Sequence, residues 1–210
     1  MTNNVGKYYV HESKYWKDKN AVVLGLDEAG RGCWAGPLVV AGCILPNGYH
    51  NDEIKDSKQL SPAKREKLYE QILNDAIACL VVFVPANEVD ILNPKQASID
   101  RMFEIMYMIT PAPTVALVDA EKLPYSHIET KSIIKGDANS ISIAAASILA
   151  KVSRDRYMRA IAKQYPNFSF DKHKGYGTAQ HLKELKNNGP IKDFHRYSYK
   201  PVKEALKNFK

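Results

Sequence analysis

The sequence predicts an α/β fold with a basic helical extension at its C-terminal end, on three observations. Short apolar runs rich in Val, Ile and Leu recur at Ala21 to Leu26, Leu38 to Leu45, Leu80 to Val84 and Thr114 to Val118, with the length and composition of buried strands, and Lys131 to Lys135 reads as a further short strand. Longer stretches between and after them carry apolar residues at helical spacing. Three of the strands are each followed by an acid near the C-terminal end, Asp27, Asp119 and Asp137, and ligand sites collect at that end of the strands in a twisted α/β sheet.

The first strand leads into Asp27-Glu28-Ala29-Gly30-Arg31-Gly32, which reads as the turn of a strand pair. Two carboxylates stand at its start, glycines free the backbone for close approach, and Arg31 sets a cation beside the acids. Such a loop suits a metal and a phosphate; it is also an ordinary solvated hairpin turn, so the rest of the chain must decide. Leu38 to Leu45 stops at Pro46-Asn47-Gly48. After Asp56-Ser57-Lys58, Ser61 as cap and Pro62 as first residue start a helix to about Ala78, with Leu68, Ile72 and Ile77 as its apolar stripe. Ala86 to Leu92 is a short helix, and Lys95 to Ile109 a longer one whose methionines fill the core. Pro111-Ala112-Pro113 breaks it before the strand that delivers Asp119, and Gly136-Asp137 closes the last strand.

Ser140 or Ser142 caps a helix from Ile143 to about Gln164 that opens on Ala144-Ala145-Ala146, small enough to approach a sheet closely. Lys151, Arg154 and Asp155 fall side by side on it as a solvated ion-pair face, with Lys151 a possible phosphate contact. Beyond Pro166 the texture changes. His173-Lys174-Gly175-Tyr176-Gly177, a helix from Thr178 to Asn187, and His195-Arg196-Tyr197-Ser198-Tyr199-Lys200 before a last helix opened by Pro201 interleave cations with rings, a pattern suited to phosphates, sugars and bases. Three segments follow: residues 1–20, a core of 21–165, and a basic helical extension of 166–210.

The 210 residues carry a net charge of +7. Residues 1–139 hold 15 Lys and Arg against 18 Asp and Glu, and residues 140–210 hold 15 against 5, so the balance is −3 and then +10. Acids that could hold a metal, followed by a basic part, suit a polyanionic substrate. No apolar run approaches the ~20 residues of a membrane span and no leader-like segment opens the chain, so a cytosolic protein is expected. Cys33, Cys43 and Cys79 have no CxxC spacing and read as small buried hydrophobes. No heptad marks an interface, and a monomer is expected.

Asp27, Glu28, Asp119 and Asp137 without clustered Cys or His favour a hard cation, Mg²⁺ or Mn²⁺. Phosphodiester hydrolysis uses such ions, one lowering the pKa of the attacking water and a second, ~3.5 to 4 Å away, stabilising the departing oxygen. Backbone groups exposed at Gly30-Arg31-Gly32 can hydrogen-bond a ribose 2′-OH, the group that distinguishes RNA from DNA.

Motifs in register from Leu24 to Val202 resemble bacterial ribonuclease HII: Gly25-Leu26-Asp27-Glu28-Ala29-Gly30-Arg31-Gly32, Ala35-Gly36-Pro37-Leu38-Val39, Asp56-Ser57-Lys58, Ala97-Ser98-Ile99-Asp100, Leu117-Val118-Asp119, Lys135-Gly136-Asp137, Ala144 to Val152, Arg154-Asp155 and His173-Lys174-Gly175-Tyr176-Gly177-Thr178. The resemblance implies a ribonuclease H-like mixed five-stranded sheet flanked by helices, with a C-terminal helical extension. It implies cleavage of the RNA strand of RNA/DNA hybrids and incision 5′ of ribonucleotides embedded in duplex DNA, leaving 3′-hydroxyl and 5′-phosphate ends. Asp27, Glu28, Asp119 and Asp137 would be the metal-binding catalytic acids. Gly30, Arg31 and Gly32 would read the 2′-OH and adjoining phosphate, Tyr176 would pack on the ribose, and Lys58 would contact a phosphate. Cys33-Trp34 departs from the family's usual Pro-Leu, and Ala120 stands where glycine is usual. The sister type, ribonuclease HIII, usually carries an extra N-terminal domain, and only about 20 residues precede the first strand here. A silent binding module would lack some of the acids, and a Rossmann-type nucleotide binder would need a helix after the glycines and a GxGxxG motif.

Overall fold

Five strands, β1 (Val23–Ala29), β2 (Leu38–Ile44), β3 (Ala78–Val84), β4 (Val115–Asp119) and β5 (Glu129–Ile133), form one sheet in the order β3-β2-β1-β4-β5. β1 runs parallel to β4, with Val23 opposite Val115 and Leu26 opposite Val118, and β4 runs parallel to β5. The neighbours β1 and β2 are joined by residues 30–37 alone, too short for the crossover that parallel strands require, so the sheet is mixed. The computed structural model describes residues 7–124 and 126–209.

The described helices are α1 (Pro62–Asp75), α2 (Ala86–Leu92), α3 (Pro94–Met108), α4 (Ile141–Ala162), α5 (Phe170–His173), α6 (Ala179–Asn188) and α7 (Lys200–Lys207). Their starts follow from capping chemistry. Ser61 Oγ accepts the Lys64 N–H ahead of Pro62, Thr178 accepts the His181 N–H, and Ser140 Oγ accepts the Ile143 N–H at 3.2 Å, so Ser140 is the cap of α4. None of these helices is long and apolar enough to cross a membrane.

Several boundaries move from those the sequence predicts. β1 extends to Ala29, so Asp27 and Glu28 are strand residues and the turn begins after them. α1 ends at Asp75, and β3 begins at Ala78; Ile77 lies past the helix and is exposed, while Leu68 and Ile72 are buried as expected. β5 lies two residues earlier than the Lys131 to Lys135 run, because its buried side chain is Ile133 and Ile134 faces solvent. The short helix α5 has too few residues to show a periodicity.

The chain groups into two compact units. The first comprises the chain up to Glu28, Val40–Val82 and Ile99–Val152; one of its buried clusters joins Val23, Val115, Leu117, Ile133 and Ile143. Met102 and Met106 of α3 are buried, as the core-filling reading expects, whereas Met108 at the end of the helix is exposed. The second comprises Ala29–Val39, Phe83–Ser98 and the chain from Ser153. Its core is aromatic, with Phe168, Phe170 and Phe194 packed among Met158, Leu185 and Val202. Of residues 1–20, the first six lie outside the described residues.

Candidate active site

The parallel register of β1, β4 and β5 brings their C-terminal ends together, and three acids meet there. Asp27 is in β1, Asp119 ends β4, and Asp137 lies in the 3-10 turn Gly136–Ala138 that follows β5. One carboxylate oxygen of each lies within 4.8 Å of the others. Glu28 follows Asp27 directly but is outside this group of three. Asp27 Oδ1 accepts the Glu28 N–H at 2.7 Å, and Asp119 Oδ1 accepts the Gly136 N–H at 2.7 Å. Ser147 of α4 also hydrogen-bonds Asp27, and its Oγ lies 2.8 Å from Ser57 Oγ. Lys58 Nζ donates to Asp137 Oδ2 at 3.1 Å.

Two glycines allow this convergence. A Cβ on Gly25 would stand 2.1 Å from the Ser142 carbonyl carbon, so the start of α4 lies directly on β1 two residues before Asp27. A Cβ on Gly136 would stand 2.6 Å from Ile143 Cδ1 and 3.3 Å from Asp119. Straight after Asp119 the chain turns through Ala120 at φ 52°, the left-handed region that costs an L-residue roughly 1 kcal/mol. That conformation accounts for the family's usual glycine at this place.

The electrostatics follow from burial and like charge. Burial, then the charges of Glu28 and Asp119, hold the Asp27 carboxyl well above the usual carboxylate range. Asp119 is raised by burial and by the charge of Asp137, against the Gly136 hydrogen bond and Lys58. Burial works to lower the Lys58 ammonium, but the hydrogen bond and charge of Asp137, with Asp27 and Asp56, outweigh it and raise it. An all-oxygen cluster whose members repel one another fits a hard divalent cation, which would relieve both the burial and the repulsion.

The second unit holds the remaining predicted residues. Gly30 has φ +93° and a Cβ there would lie 2.1 Å from Arg154 Nε, so two separate constraints demand glycine. Gly32 is different. It is exposed, and a Cβ on it would meet nothing within 4 Å. Arg154 and Arg196 are both fully buried, which corrects the expected solvated face around Arg154 and the expected phosphate-facing role of the His195-Arg196 stretch. Each guanidinium instead serves backbone carbonyls: Arg154 donates to Pro37, Ala35 and Lys174, and Arg196 to Gly30, Arg31 and Gly36, at 2.7 to 3.2 Å. The Tyr199 hydroxyl also donates to the Arg31 carbonyl. Tyr176 is 37 % exposed, its ring centroid 5.4 Å from the Arg154 guanidinium carbon, and burial with the neighbouring Cys33 pushes its phenol up to about 12. Trp34 fits only because residue 177 is glycine, since a Cβ there would lie 2.3 Å from the indole.

Two histidines form a directed chain to the Tyr176 loop, and a third, His173, bonds within that loop. His195 Nδ1 accepts the Ile191 N–H at 2.9 Å, leaving its Nε2–H to donate to His181 Nε2 at 3.1 Å. The His181 Nδ1–H then donates to the Tyr176 carbonyl at 3.0 Å. His173 accepts the Gly175 N–H on Nδ1 and donates from Nε2 to Glu184 at 2.9 Å. The sequence offers His173, Tyr176 and His195 only as parts of basic-aromatic stretches and Ser57 and Ser147 only inside longer motifs, and nothing in it points to His181, Glu184 or the bonds among them. The one available signal is Ser147 itself, a polar residue inside the small apolar run of α4.

The sheet order, the flanking helices and the acidic cluster at the strand ends define a ribonuclease H-like protein. The ribonuclease HII family model matches residues 24–202, and the chain belongs to that family. It is 44 % identical over 196 residues to ribonuclease HII of Geobacillus sp. (strain WCH70), covering 93 % of this chain and 70 % of that one. Against ribonuclease HII of Chlamydia muridarum the identity is 45 %, covering 94 % and 91 %. The crystal structure of ribonuclease H2 from Pyrococcus horikoshii OT3 superposes with a TM-score of 0.76 at 24 % identity, covering 90 % of this chain and 98 % of that one, which shows the shared fold. The chain is thus a ribonuclease H-type hydrolase.

The histidine chain requires neutral rings. Burial lowers His181 to about 4, and burial with the charge of His181 lowers His195 to about 3. Unfolded, both titrate near ~6.5, so below that pH the unfolded state binds more protons and their contribution is lost as pH falls, by about 2 kcal/mol each at pH 5. Asp27 and Asp119, raised on folding, act in the opposite sense, so the rings are best read individually. In an NMR titration from pH 8 to 5, His181 is expected to remain the Nδ1–H tautomer and His195 the Nε2–H tautomer. Titration of either near pH 6.5 would contradict the network.

Proposed function

We propose that this chain hydrolyses the RNA strand of RNA/DNA hybrids and incises duplex DNA on the 5′ side of an embedded ribonucleotide, leaving 3′-hydroxyl and 5′-phosphate ends. In the cell this removes misincorporated ribonucleotides from DNA. The observation that carries the reading is the trio Asp27, Asp119 and Asp137, with carboxylate oxygens within 4.8 Å of one another at the sheet's strand ends.

Asp27, Asp119 and Asp137, with Glu28 beside them, would hold Mg²⁺ or Mn²⁺. Two such ions supply an activated water and charge stabilisation at the departing oxygen. The protein's own part is to hold the acids: Gly136 and Glu28 donate backbone N–H groups, and Lys58 pairs with Asp137. In the second unit, Gly30, Arg31, Gly32 and Tyr176 are the proposed readers of the ribose and its phosphate. Gly32 supports this role, since nothing within 4 Å in the protein requires a glycine there and an approaching sugar-phosphate would. Lys58, largely exposed while paired to Asp137, is the proposed phosphate contact near the acids.

The test is incision of a labelled DNA duplex containing one ribonucleotide, beside an all-DNA duplex and a long RNA/DNA hybrid, with Mg²⁺, Mn²⁺ or EDTA. The expected result is a metal-dependent cut 5′ to the ribonucleotide that Asp119→Asn reduces at least about a hundredfold. No cut, or equal cutting of the all-DNA duplex, would overturn the proposal.

The glycines give a second, separable test. Gly30→Ala should lose about 3 kcal/mol or more of stability in urea unfolding, because it strains φ and collides with Arg154. Gly32→Ala should stay within about 0.5 kcal/mol of the parent yet cut the ribonucleotide-containing duplex at least about tenfold more slowly, a change of roughly 1.4 kcal/mol in transition-state stabilisation. An unimpaired Gly32→Ala enzyme would remove that residue from the substrate site.

A further inference from the structure

Residues 7–20 have no part in the chemistry above, yet they are tied into the first unit at several points. The Tyr9 hydroxyl donates to Asp52 at 3.2 Å and accepts the Asn51 N–H at 3.1 Å, and its ring stacks on His50 at 4.5 Å. The Tyr15 hydroxyl donates to Glu129 at 2.9 Å, with Lys131 Nζ 5.0 Å over its ring. Tyr15 and Trp16 pack against the cluster that holds Val115, Leu117 and Ile143.

Between these anchors Glu12 is fully buried. Its Oε1 accepts the Ser140 hydroxyl at 2.5 Å and the Ser142 N–H at 3.0 Å, across 128 and 130 residues of chain. Its Oε2 is buried with no hydrogen-bond partner among the described residues. Burial holds the Glu12 carboxyl above the usual carboxylate range, and the Ser140 and Ser142 donors, with the positive N-terminal end of α4, 22 residues long, offset part of that cost. Ser140 in turn donates its N–H to the Gly136 carbonyl at 2.8 Å and caps the Ile143 N–H. The segment Glu12 grips is therefore the one that begins with the Asp137 turn and ends on Gly25 of β1.

We infer that Glu12 is a positioning residue for the carboxylate cluster: by holding Ser140 and Ser142 it fixes the turn that carries Asp137 in register with Asp27 and Asp119. The inference rests on reading that cluster as a divalent-cation site.

The test is Mn²⁺ binding to the full chain without nucleic acid, followed by the electron paramagnetic resonance signal of free Mn²⁺. Glu12→Ala is expected to weaken binding about threefold to tenfold, less than or like the loss of a group bonded directly to a ligand. Glu12→Gln, which keeps an oxygen where Oε1 stands, should remain within about twofold of the parent. Ser140→Ala should weaken binding in the same direction, and the double variant Glu12→Ala/Ser140→Ala no further than the larger single effect, because both remove one connection. Circular dichroism and urea unfolding confirm that each variant is folded; if Glu12→Ala does not fold, the contrast between Ser140→Ala and Glu12→Gln decides. Parent-like binding by a folded Glu12→Ala or Ser140→Ala overturns the inference. So does Glu12→Gln weakened as much as Glu12→Ala, which would assign the effect to charge alone. A parent chain that binds Mn²⁺ but cuts no substrate would count against the proposed function and leave this comparison intact.

Discussion

Three carboxylates in a partly buried space repel one another, and the first unit is arranged to hold them there. Asp27 bears most of the burden, since burial and two neighbouring acids all oppose its ionisation. Backbone N–H groups of Glu28 and Gly136, the Ser57-Ser147 pair and Lys58 each offset part of that cost. The parallel pairing of β1, β4 and β5 sets the lateral spacing, and the bare backbones of Gly25 and Gly136 let α4 and the Asp137 turn come close enough.

The second unit solves a different problem with cations of its own. Eight residues link β1 to β2, and their inward carbonyls need donors. Arg154 and Arg196 supply them from the interior, each planar guanidinium reaching several carbonyls at once. The histidine chain does the same for the Tyr176 loop, using neutral rings whose tautomers are fixed by the backbone at each end. Gly32 alone in Gly30-Arg31-Gly32 has no constraint from within.

Much of this was legible in the sequence. Continuous apolar runs placed β1, β2 and β4, because strands buried on both faces must be apolar almost throughout, and the acids at the ends of β1 and β4 placed two members of the cluster; β3 is only half-buried and β5 has Ile133 as its one buried residue, so their patterns are weaker. Strand ends were less legible: Asp27 and Glu28 are polar, and only pairing in the sheet shows that β1 continues through them. Arg154, Arg196 and His195 read as solvent-facing because charge is usually exposed; their burial depends on carbonyls distant in sequence, such as that of Gly30, 166 residues from Arg196. Glu12 was invisible for the same reason. Its partners lie in the first turn of α4, and no local pattern announces them.

Repulsion within the carboxylate trio is what a bound divalent cation would relieve. Calorimetric unfolding at neutral pH, with and without Mg²⁺, on the parent and on Asp27→Asn tests it most directly. Without metal, Asp27→Asn should melt at or above the parent temperature, because it removes a buried charge that its neighbours oppose. Saturating Mg²⁺ should stabilise the parent, by about 2.7 kcal/mol at a hundred times its dissociation constant, and leave Asp27→Asn nearly unmoved. A parent chain indifferent to Mg²⁺, or a variant that gains as much from it, would contradict the claim that these three acids form a cation site.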